Sequence, residues 1–132
     1  MDSSSLNVLV VDDDAEIGFM LKAILDFNGY HASICSDATD IFNLLATNKP
    51  DLIIMDMLLS GADGREICRK LKNSITTKEI PVLMISAHPD GESTCKAAGA
   101  NQFIAKPFEI KELLRAVRSH LNDQALFNGR EK

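Results

Sequence analysis

Four short runs of consecutive apolar residues constrain the fold of this chain more than any other feature. They lie at 8–11 (VLVV), 52–55 (LIIM), 82–85 (VLMI) and 103–105 (FIA), and a weaker run, HASIC, lies at 31–35. Apolar and polar residues do not alternate within the four runs, as they would in a strand with one face in solvent. Strands that are covered on both faces have this pattern, and parallel sheets consist of such strands. The runs therefore predict a buried parallel sheet.

Segments with the periodicity of amphipathic helices follow the runs. Gly29 is a stop signal for the first helix, whereas the second begins after Asp37, a suitable cap, and ends before Pro50. A weakly apolar fourth helix is expected over 89–98, with Gly99 as its stop. The apolar positions of the other helices are Ile17, Met20, Leu21, Ile24 and Leu25; Ile41, Leu44 and Leu45; Ile67 and Leu71; and Ile110, Leu113, Leu114, Val117 and Leu121.

Five strand-then-helix units in this order predict a doubly wound α/β domain with a parallel sheet. The length of 132 residues corresponds to one domain, and no linker interrupts the pattern. We expect one domain over residues 1–132 with an ordered core at about 6–122. The polar segment 123–132 is expected to be a C-terminal tail or the root of a linker.

Composition and charge exclude several classes of function. A net charge of −5, from 14 basic and 19 acidic residues, argues against direct binding of nucleic acid. No apolar stretch is long enough to span a membrane, and the first residues lack the pattern of a secretion signal, so we expect a cytoplasmic protein. The three cysteines, Cys35, Cys68 and Cys95, are far apart and have no metal-binding spacing, so we interpret them as small buried residues.

Polar side chains follow four of the five predicted strands. Ligands of doubly wound domains bind at the carboxyl ends of the strands, and here these ends carry Asp12, Asp13 and Asp14, then Asp56, then Ser86, then Lys106. Carboxylates from two strands suit a hard divalent cation such as Mg²⁺, which prefers oxygen ligands. The hydroxyl and the ammonium group suit an anion beside that cation. Asp14 also has the right position to begin the first helix.

The same residues resemble a known family. VLVVDDD, DLIIMD followed by Gly64, PVLMISA and KPF together resemble the receiver domain of two-component response regulators, over essentially the whole chain. The resemblance implies five parallel strands in the order 2-1-3-4-5. It also implies Mg²⁺-dependent acceptance of a phosphoryl group from a histidine kinase or a histidine phosphotransfer protein, with Mn²⁺ as a substitute for Mg²⁺. Such a domain is a signalling phosphoacceptor and not an enzyme that turns over substrates.

The resemblance assigns a role to each candidate residue. By position, Asp56 is the phosphoryl acceptor, and Ser86 and Lys106 contact the phosphoryl oxygens. Asp13 is a direct metal ligand, Asp12 acts largely through water, and Asp56 and the Leu58 carbonyl complete the protein ligands. Phe103 has the position of an aromatic switch residue, together with Ser86, and the bond between Lys106 and Pro107 is expected to be cis.

Three positions in the loops vary in this family or depart from its pattern. The family usually has proline four residues after the acceptor, where this chain has Ser60, which does not fix φ and so loosens the turn. Leu58 and His88 flank the expected position of the water that hydrolyses the acyl phosphate. Leu58 cannot orient that water, whereas a neutral imidazole at His88 could accept a hydrogen bond from it.

The expected output is a phosphorylation-dependent change of the surface formed by the fourth helix, the fifth strand and the fifth helix. The partner there would be a downstream protein or an output domain, with no membrane contact, and the resemblance also allows a homodimer that forms on phosphorylation. Two alternatives stay open. Asp12 and Asp14 form the DxD of a haloacid-dehalogenase-like phosphohydrolase, although no further acidic strand end follows Lys106. The chain could also be a docking module that works without phosphate.

Overall fold

The computed structural model describes the backbone of residues 6–130 and the side chains of residues 6–121. Within this part of the chain, one sheet contains five parallel strands: β1 (Asn7–Val11), β2 (His31–Cys35), β3 (Leu52–Asp56), β4 (Val82–Ser86) and β5 (Gln102–Ala105). Their order across the sheet is β2-β1-β3-β4-β5. The predicted doubly wound fold and its strand order are therefore confirmed.

Helices cover both faces of the sheet and bury the apolar runs. The helices are α1 (Ala15–Phe27), α2 (Ile41–Thr47), α3 (Gly64–Lys72), α4 (Gly91–Ala97) and α5 (Ile110–Arg130). One apolar cluster joins the sheet to α1 and α5, and the other joins it to α2, α3 and α4. Because both faces are covered, the three central strands are almost completely buried, as the continuous apolar runs predicted.

The helix ends differ from the predicted ones in three places. Asp37 caps a 3-10 turn, Ala38–Asp40, and not α2 itself; the N-cap position of α2 is Asp40, whose side chain makes no cap hydrogen bond. Helix α4 is shorter than the expected 89–98, because a turn that is closed by the hydrogen bond from Gly91 N–H to the His88 carbonyl precedes it. The segment expected as a polar tail continues α5 as far as Arg130, and residues 131 and 132 lie outside the described residues.

A short hairpin between β3 and α3 was not predicted. Leu58–Leu59 and Ala62–Asp63 pair in antiparallel fashion, and Ser60 and Gly61 form the turn between them. Gly61 has a φ of 74°, a conformation that glycine adopts without strain. This hairpin stands directly after Asp56, so it forms one wall of the strand-end site.

The three cysteines are buried and free, as expected. Burial raises the pKa of all three thiols, and for Cys95 to about 11. A thiol with such a raised pKa is a poor nucleophile near neutral pH. Between Leu6 and Arg130, no helix combines the length and the apolar character that a membrane-spanning segment needs.

Candidate functional site

The carboxyl ends of β1 and β3 meet at one edge of the sheet. The two strands are neighbours, and their register pairs Val11 with Met55, so that Asp12 and Asp56 follow at the same level. Asp12 is only 4% exposed, whereas Asp13 and Asp14 are exposed. The structure therefore brings the two acidic strand ends together, with one carboxylate of the triplet buried and two at the surface.

The buried carboxylate of Asp12 has like charges beside it. Burial raises the pKa of Asp12 above its ordinary value, and the neighbouring charges of Asp56 and Asp13 raise it further. The N–H of Asp14, which donates to Asp12 Oδ1 at 2.9 Å, and the ammonium group of Lys106 act in the opposite direction. Additional positive charge at this edge would therefore favour the ionised form of Asp12.

Lys106 pairs with Asp56 across the strand between them. Lys106 Nζ lies 3.3 Å from Asp56 Oδ2, and the two side chains are 26% and 14% exposed. The main-chain N–H of Lys106 donates to the carbonyl oxygen of Ser86 at 2.9 Å, which fixes the end of β5 against β4. The bond between Lys106 and Pro107 is cis, as the resemblance implies. Lys106 is thus held where its ammonium group reaches the carboxylate of Asp56.

Two main-chain N–H groups of the hairpin wall contact carboxylates of the site. The N–H of Ser60 donates to Asp13 Oδ2 at 2.5 Å, and the N–H of Leu58 lies 3.3 Å from Asp56 Oδ1. The side chain of Leu58 is 57% exposed. The sequence drew attention to Ser60 only as a missing proline, so its main-chain contact with Asp13 was not predicted.

Ser86 ends β4 as a buried residue. Its Oγ accepts a hydrogen bond from the N–H of His88 at 2.9 Å, and Nδ1 of His88 accepts one from the N–H of Asp90 at 3.0 Å. These two contacts shape the loop between β4 and α4. The structure places Ser86 at the same edge as Asp56 and Lys106, although its hydroxyl makes this hydrogen bond within its own loop.

Phe103 packs against the cluster that includes α4, with its ring over the first residue of that helix. A Cβ on Gly91 would lie 2.8 Å from Cζ of Phe103 and 3.3 Å from Cβ of Ser86, so a side chain at this position would collide with the ring. Gly91 therefore lets the predicted switch residues Phe103 and Ser86 approach α4. Sequence reasoning did not single out Gly91, and its only signal was a glycine beside the predicted start of a helix.

Gly64 allows α3 to begin directly against the end of β3. Its N–H donates to the carbonyl oxygen of Met57 at 2.7 Å, and a Cβ at this position would collide with the carbonyl oxygen of Asp56. This close approach explains the glycine eight residues after Asp56 in physical terms. It also holds the loop that carries Leu58 next to the acceptor candidate.

The donor types at this edge fit a hard divalent cation. Mg²⁺ in proteins usually takes one or two carboxylates together with carbonyl oxygens and waters, and Asp12, Asp13, Asp56 and the Leu58 carbonyl are donors of these types. Among the residues whose side chains are described, no three His, Cys, Asp or Glu side chains converge in an arrangement that could hold a metal ion. Each of the three carboxylates instead accepts a hydrogen bond from a protein donor. The magnesium site stays a prediction.

Comparisons with known proteins agree with this geometry. The family model described as response regulator receiver domain matches residues 8–118. Among curated proteins, the response regulator MprA of a Mycobacterium species (strain KMS) is 34% identical over 118 residues, which are 88% of this chain and 50% of that protein. MprA of Mycobacterium tuberculosis (strain H37Rv) is 33% identical over 119 residues, with coverage of 89% and 51%. The chain thus spans about half the length of the curated relatives it matches.

Solved structures with the same fold include receiver domains from different kinds of signalling protein. The receiver domain of a signal transduction histidine kinase from Syntrophus aciditrophicus has a TM-score of 0.83 and 30% identity, with 90% of this chain and 92% of that chain covered. The chemotaxis response regulator CheY4 of Vibrio cholerae has a TM-score of 0.80 and 26% identity, with coverage of 87% and 98%.

Proposed function

This chain belongs to the response regulator receiver domain family, and on that premise we propose that it accepts a phosphoryl group on Asp56 from a histidine kinase or a histidine phosphotransfer protein. The observation that supports this proposal best is the position of Asp56. Asp56 is the last residue of the central strand β3. Its carboxylate is partly exposed at the strand-end edge and lies 3.3 Å from Nζ of Lys106. A nucleophilic carboxylate needs this combination of access and nearby positive charge.

The proposed step transfers the phosphoryl group from a phosphohistidine of the donor protein. A bond forms between an Asp56 carboxylate oxygen and phosphorus, and the bond between phosphorus and the imidazole nitrogen of the donor breaks. The leaving imidazole keeps the electron pair. Such transfers depend on alignment and on neutralisation of charge more than on a general base. The product on this chain is an acyl phosphate.

The residues around Asp56 would supply the alignment and, through Lys106, part of the positive charge. Lys106 would move from the Asp56 carboxylate to a phosphoryl oxygen, and the hydroxyl of Ser86 would donate to another. Asp12, Asp13, Asp56 and the Leu58 carbonyl would hold Mg²⁺, or Mn²⁺ in its place. The bound cation would supply positive charge next to the phosphoryl oxygens.

We propose that phosphorylation changes the surface formed by α4, β5 and α5. Ser86 and Phe103 both lie against Gly91, the first residue of α4. A shift of the Ser86 hydroxyl toward a phosphoryl group would therefore change the packing of α4 and of the Phe103 ring. The partner of this surface would be a downstream protein, an output domain or a second phosphorylated copy. In this role the domain works as a cytoplasmic switch and not as an enzyme with turnover.

The phosphohydrolase alternative needs Asp14 in the chemistry, and in this structure Asp14 caps a helix. Asp14 is the N-cap of α1, and its carboxylate accepts hydrogen bonds from the N–H groups of Glu16 and Ile17, at 3.0 and 3.4 Å. That reading also leaves Asp56 without a role. The docking-module alternative is separated by experiment, because it requires no phosphorylation.

The test is modification by a small phosphodonor. Wild type and Asp56→Asn are incubated with acetyl phosphate and Mg²⁺ and are analysed by intact mass. We expect a gain of one phosphoryl group in the wild type only, and none in the wild type when EDTA replaces Mg²⁺. Equal modification of both proteins would contradict the assignment of Asp56, and no modification of either would favour the docking module.

A further inference from the structure

One hydrogen bond at the strand-end edge joins two separate loops of the site. The main-chain N–H of Ser60, in the turn of the hairpin, donates to Asp13 Oδ2 at 2.5 Å. On the basis of the proposed function, we propose that this amide is a latch: it holds the Asp13 carboxylate toward the hairpin and competes with a divalent cation for it. The latch would lower the affinity of the site for Mg²⁺.

The latch depends on the residue type at position 60. Ser60 and Gly61 form the turn between Leu58–Leu59 and Ala62–Asp63, and φ is positive at Gly61 but not at Ser60. A type II turn requires a positive φ at the second central position only, and proline is common at its first central position. A proline there would suit the turn but would have no N–H to donate. Any other residue type keeps the donor, and this chain has serine.

The other acidic side chains of the site have local or ionic partners. Asp12 accepts from the N–H of Asp14, two residues away, and Asp56 pairs with Lys106. Among the described contacts of these three carboxylates with main-chain N–H groups, the one at Asp13 bridges 47 residues, whereas those at Asp12 and Asp56 each bridge two. The Ser60 amide therefore sets the direction in which Asp13 points in this structure.

Release of this bond has a cost that any cation at Asp13 must offset. Hydrogen bonds to ionised groups are roughly twice as strong as neutral ones, and this one joins a main-chain N–H to the Asp13 carboxylate. When the Asp13 carboxylate turns toward Asp12 and Asp56 to bind a cation, its hydrogen bond with the Ser60 N–H breaks. Water then hydrates this N–H, because the turn is exposed. Removing the donor should increase the affinity for Mg²⁺ by about tenfold, the ratio expected from one such bond.

Two substitutions separate the amide from the side chain. Ser60→Pro removes the N–H and keeps a residue that suits the turn, whereas Ser60→Ala removes only the hydroxyl. Isothermal titration of wild type and both variants with Mg²⁺, and with Mn²⁺, gives the affinities. We expect Ser60→Pro to bind about tenfold more tightly than Ser60→Ala, and Ser60→Ala to match the wild type.

The outcomes distinguish the latch from the proposed function. Equal affinities in all three proteins, or weaker binding by Ser60→Pro, would overturn the latch and leave the metal site intact. No binding in any of the three would overturn both the metal site and the latch. Binding only in Ser60→Pro would support the latch strongly, because the amide would then be what prevents occupancy.

A measurement on the wild type keeps the proposal testable if Ser60→Pro does not fold. The Ser60 amide proton should resonate downfield without metal, as protons that are donated to carboxylates do, and should move upfield and exchange faster with solvent on saturation with Mg²⁺. The amide of Leu59 in the same hairpin serves as the internal control. A Ser60 amide signal that keeps its shift and its exchange rate at saturation would overturn the competition.

Discussion

Lys106 Nζ lies 3.3 Å from Asp56 Oδ2, although the strands that carry these residues are not neighbours. β4 separates β3 from β5, so the pair spans the end of the strand on which Ser86 stands. The candidate acceptor Asp56, the hydroxyl of Ser86 and the ammonium group of Lys106 are therefore aligned along one edge of the sheet. The long reach of a lysine side chain makes this possible, and the main-chain bond from Lys106 to Ser86 fixes its starting point.

Replacement of Lys106 tests whether this pair takes part in phosphorylation. We expect Lys106→Ala to lower the rate of modification of Asp56 by acetyl phosphate by about a hundredfold, because removing one preorganised charge from a phosphoryl-transfer site has effects of this size. The rate is followed by Phos-tag electrophoresis. Lys49→Ala serves as the control, since Lys49 precedes β3 at the opposite end of the strand and is exposed. Equal rates in the two variants would remove Lys106 from the chemistry.

Gly91→Ala tests the contact between α4 and Phe103. The added Cβ would lie 2.8 Å from the ring, so the ring must move, and we expect the free energy of unfolding to fall by about 1 to 3 kcal/mol. The same substitution in a Phe103→Leu background should cost clearly less, because the smaller side chain makes room. Urea unfolding of the four proteins gives this double-mutant cycle. A coupling close to zero would show that the ring does not limit the space at Gly91.

The pH dependence of stability should reflect Asp63. Its hydrogen-bonded pair with the guanidinium of Arg65 holds the pKa of Asp63 below the ordinary value of 3.8. A folded-state pKa below the unfolded one stabilises the fold above pH 3.8, and this contribution is lost as the pH falls through the folded-state pKa.

Two substitutions of Asp63 separate its charge from its role as the N-cap of α3. Asp63→Asn keeps a capping side chain and removes the charge, so it should be less stable than the wild type at pH 7, with a difference that shrinks below pH 3.8. Asp63→Ala also removes the capping side chain, so its free energy of unfolding should be about a further 1 kcal/mol lower at every pH. Urea unfolding from pH 7 downward measures both effects. A difference between Asp63→Asn and wild type that stays constant with pH would refute the assignment.

An ion pair on α1 covers the open edge of the sheet. β2 is an edge strand, and its main-chain groups at Ala32 point away from β1. The N–H of Ala32 donates to Asp26 Oδ1 at 3.0 Å, Lys22 Nζ donates to the Ala32 carbonyl oxygen at 2.7 Å, and Lys22 pairs with Asp26 at 2.9 Å. Exposed edge groups promote pairing between copies, so this arrangement should protect the monomer.

Removal of the ion pair should therefore promote self-association. We expect Lys22→Ala/Asp26→Ala to form dimers or larger species at concentrations where the wild type does not, as measured by sedimentation velocity. The matched control is Glu66→Ala/Arg69→Ala, an exposed i,i+3 pair on α3, outside the surface formed by α4, β5 and α5. If the control variant self-associates as strongly, the loss of surface charge causes the association, and the exposed edge of β2 does not.

The sequence predicted which side chains lie at the strand-end edge better than it predicted the loops around that edge. Asp56, Ser86 and Lys106 were identified because each follows an apolar run, and parallel strands place such positions at one edge. The hairpin after Asp56 was missed because strands of two residues show no periodicity. The contact between Ser60 and Asp13 was missed because a main-chain donor leaves no trace in the residue type, except that proline is excluded. Contacts of this kind depend on the path of the loop.

The lifetime of the phosphorylated form should depend on Leu58 more than on His88. Hydrolysis of an acyl phosphate needs a water that is oriented toward phosphorus, and the exposed, apolar side chain of Leu58 cannot hydrogen-bond it. Nδ1 of His88 accepts from the N–H of Asp90, so the neutral ring carries its proton on Nε2 and has no free acceptor for that water.

We therefore expect Leu58→Asn to hasten decay severalfold and His88→Ala to change it little. Decay of the phosphorylated proteins after removal of phosphodonor, followed by Phos-tag electrophoresis, decides between the two positions. An unchanged or slower decay in Leu58→Asn would show that the leucine does not protect the phosphoryl group, whereas a large slowing in His88→Ala would identify the imidazole as the group that orients the water.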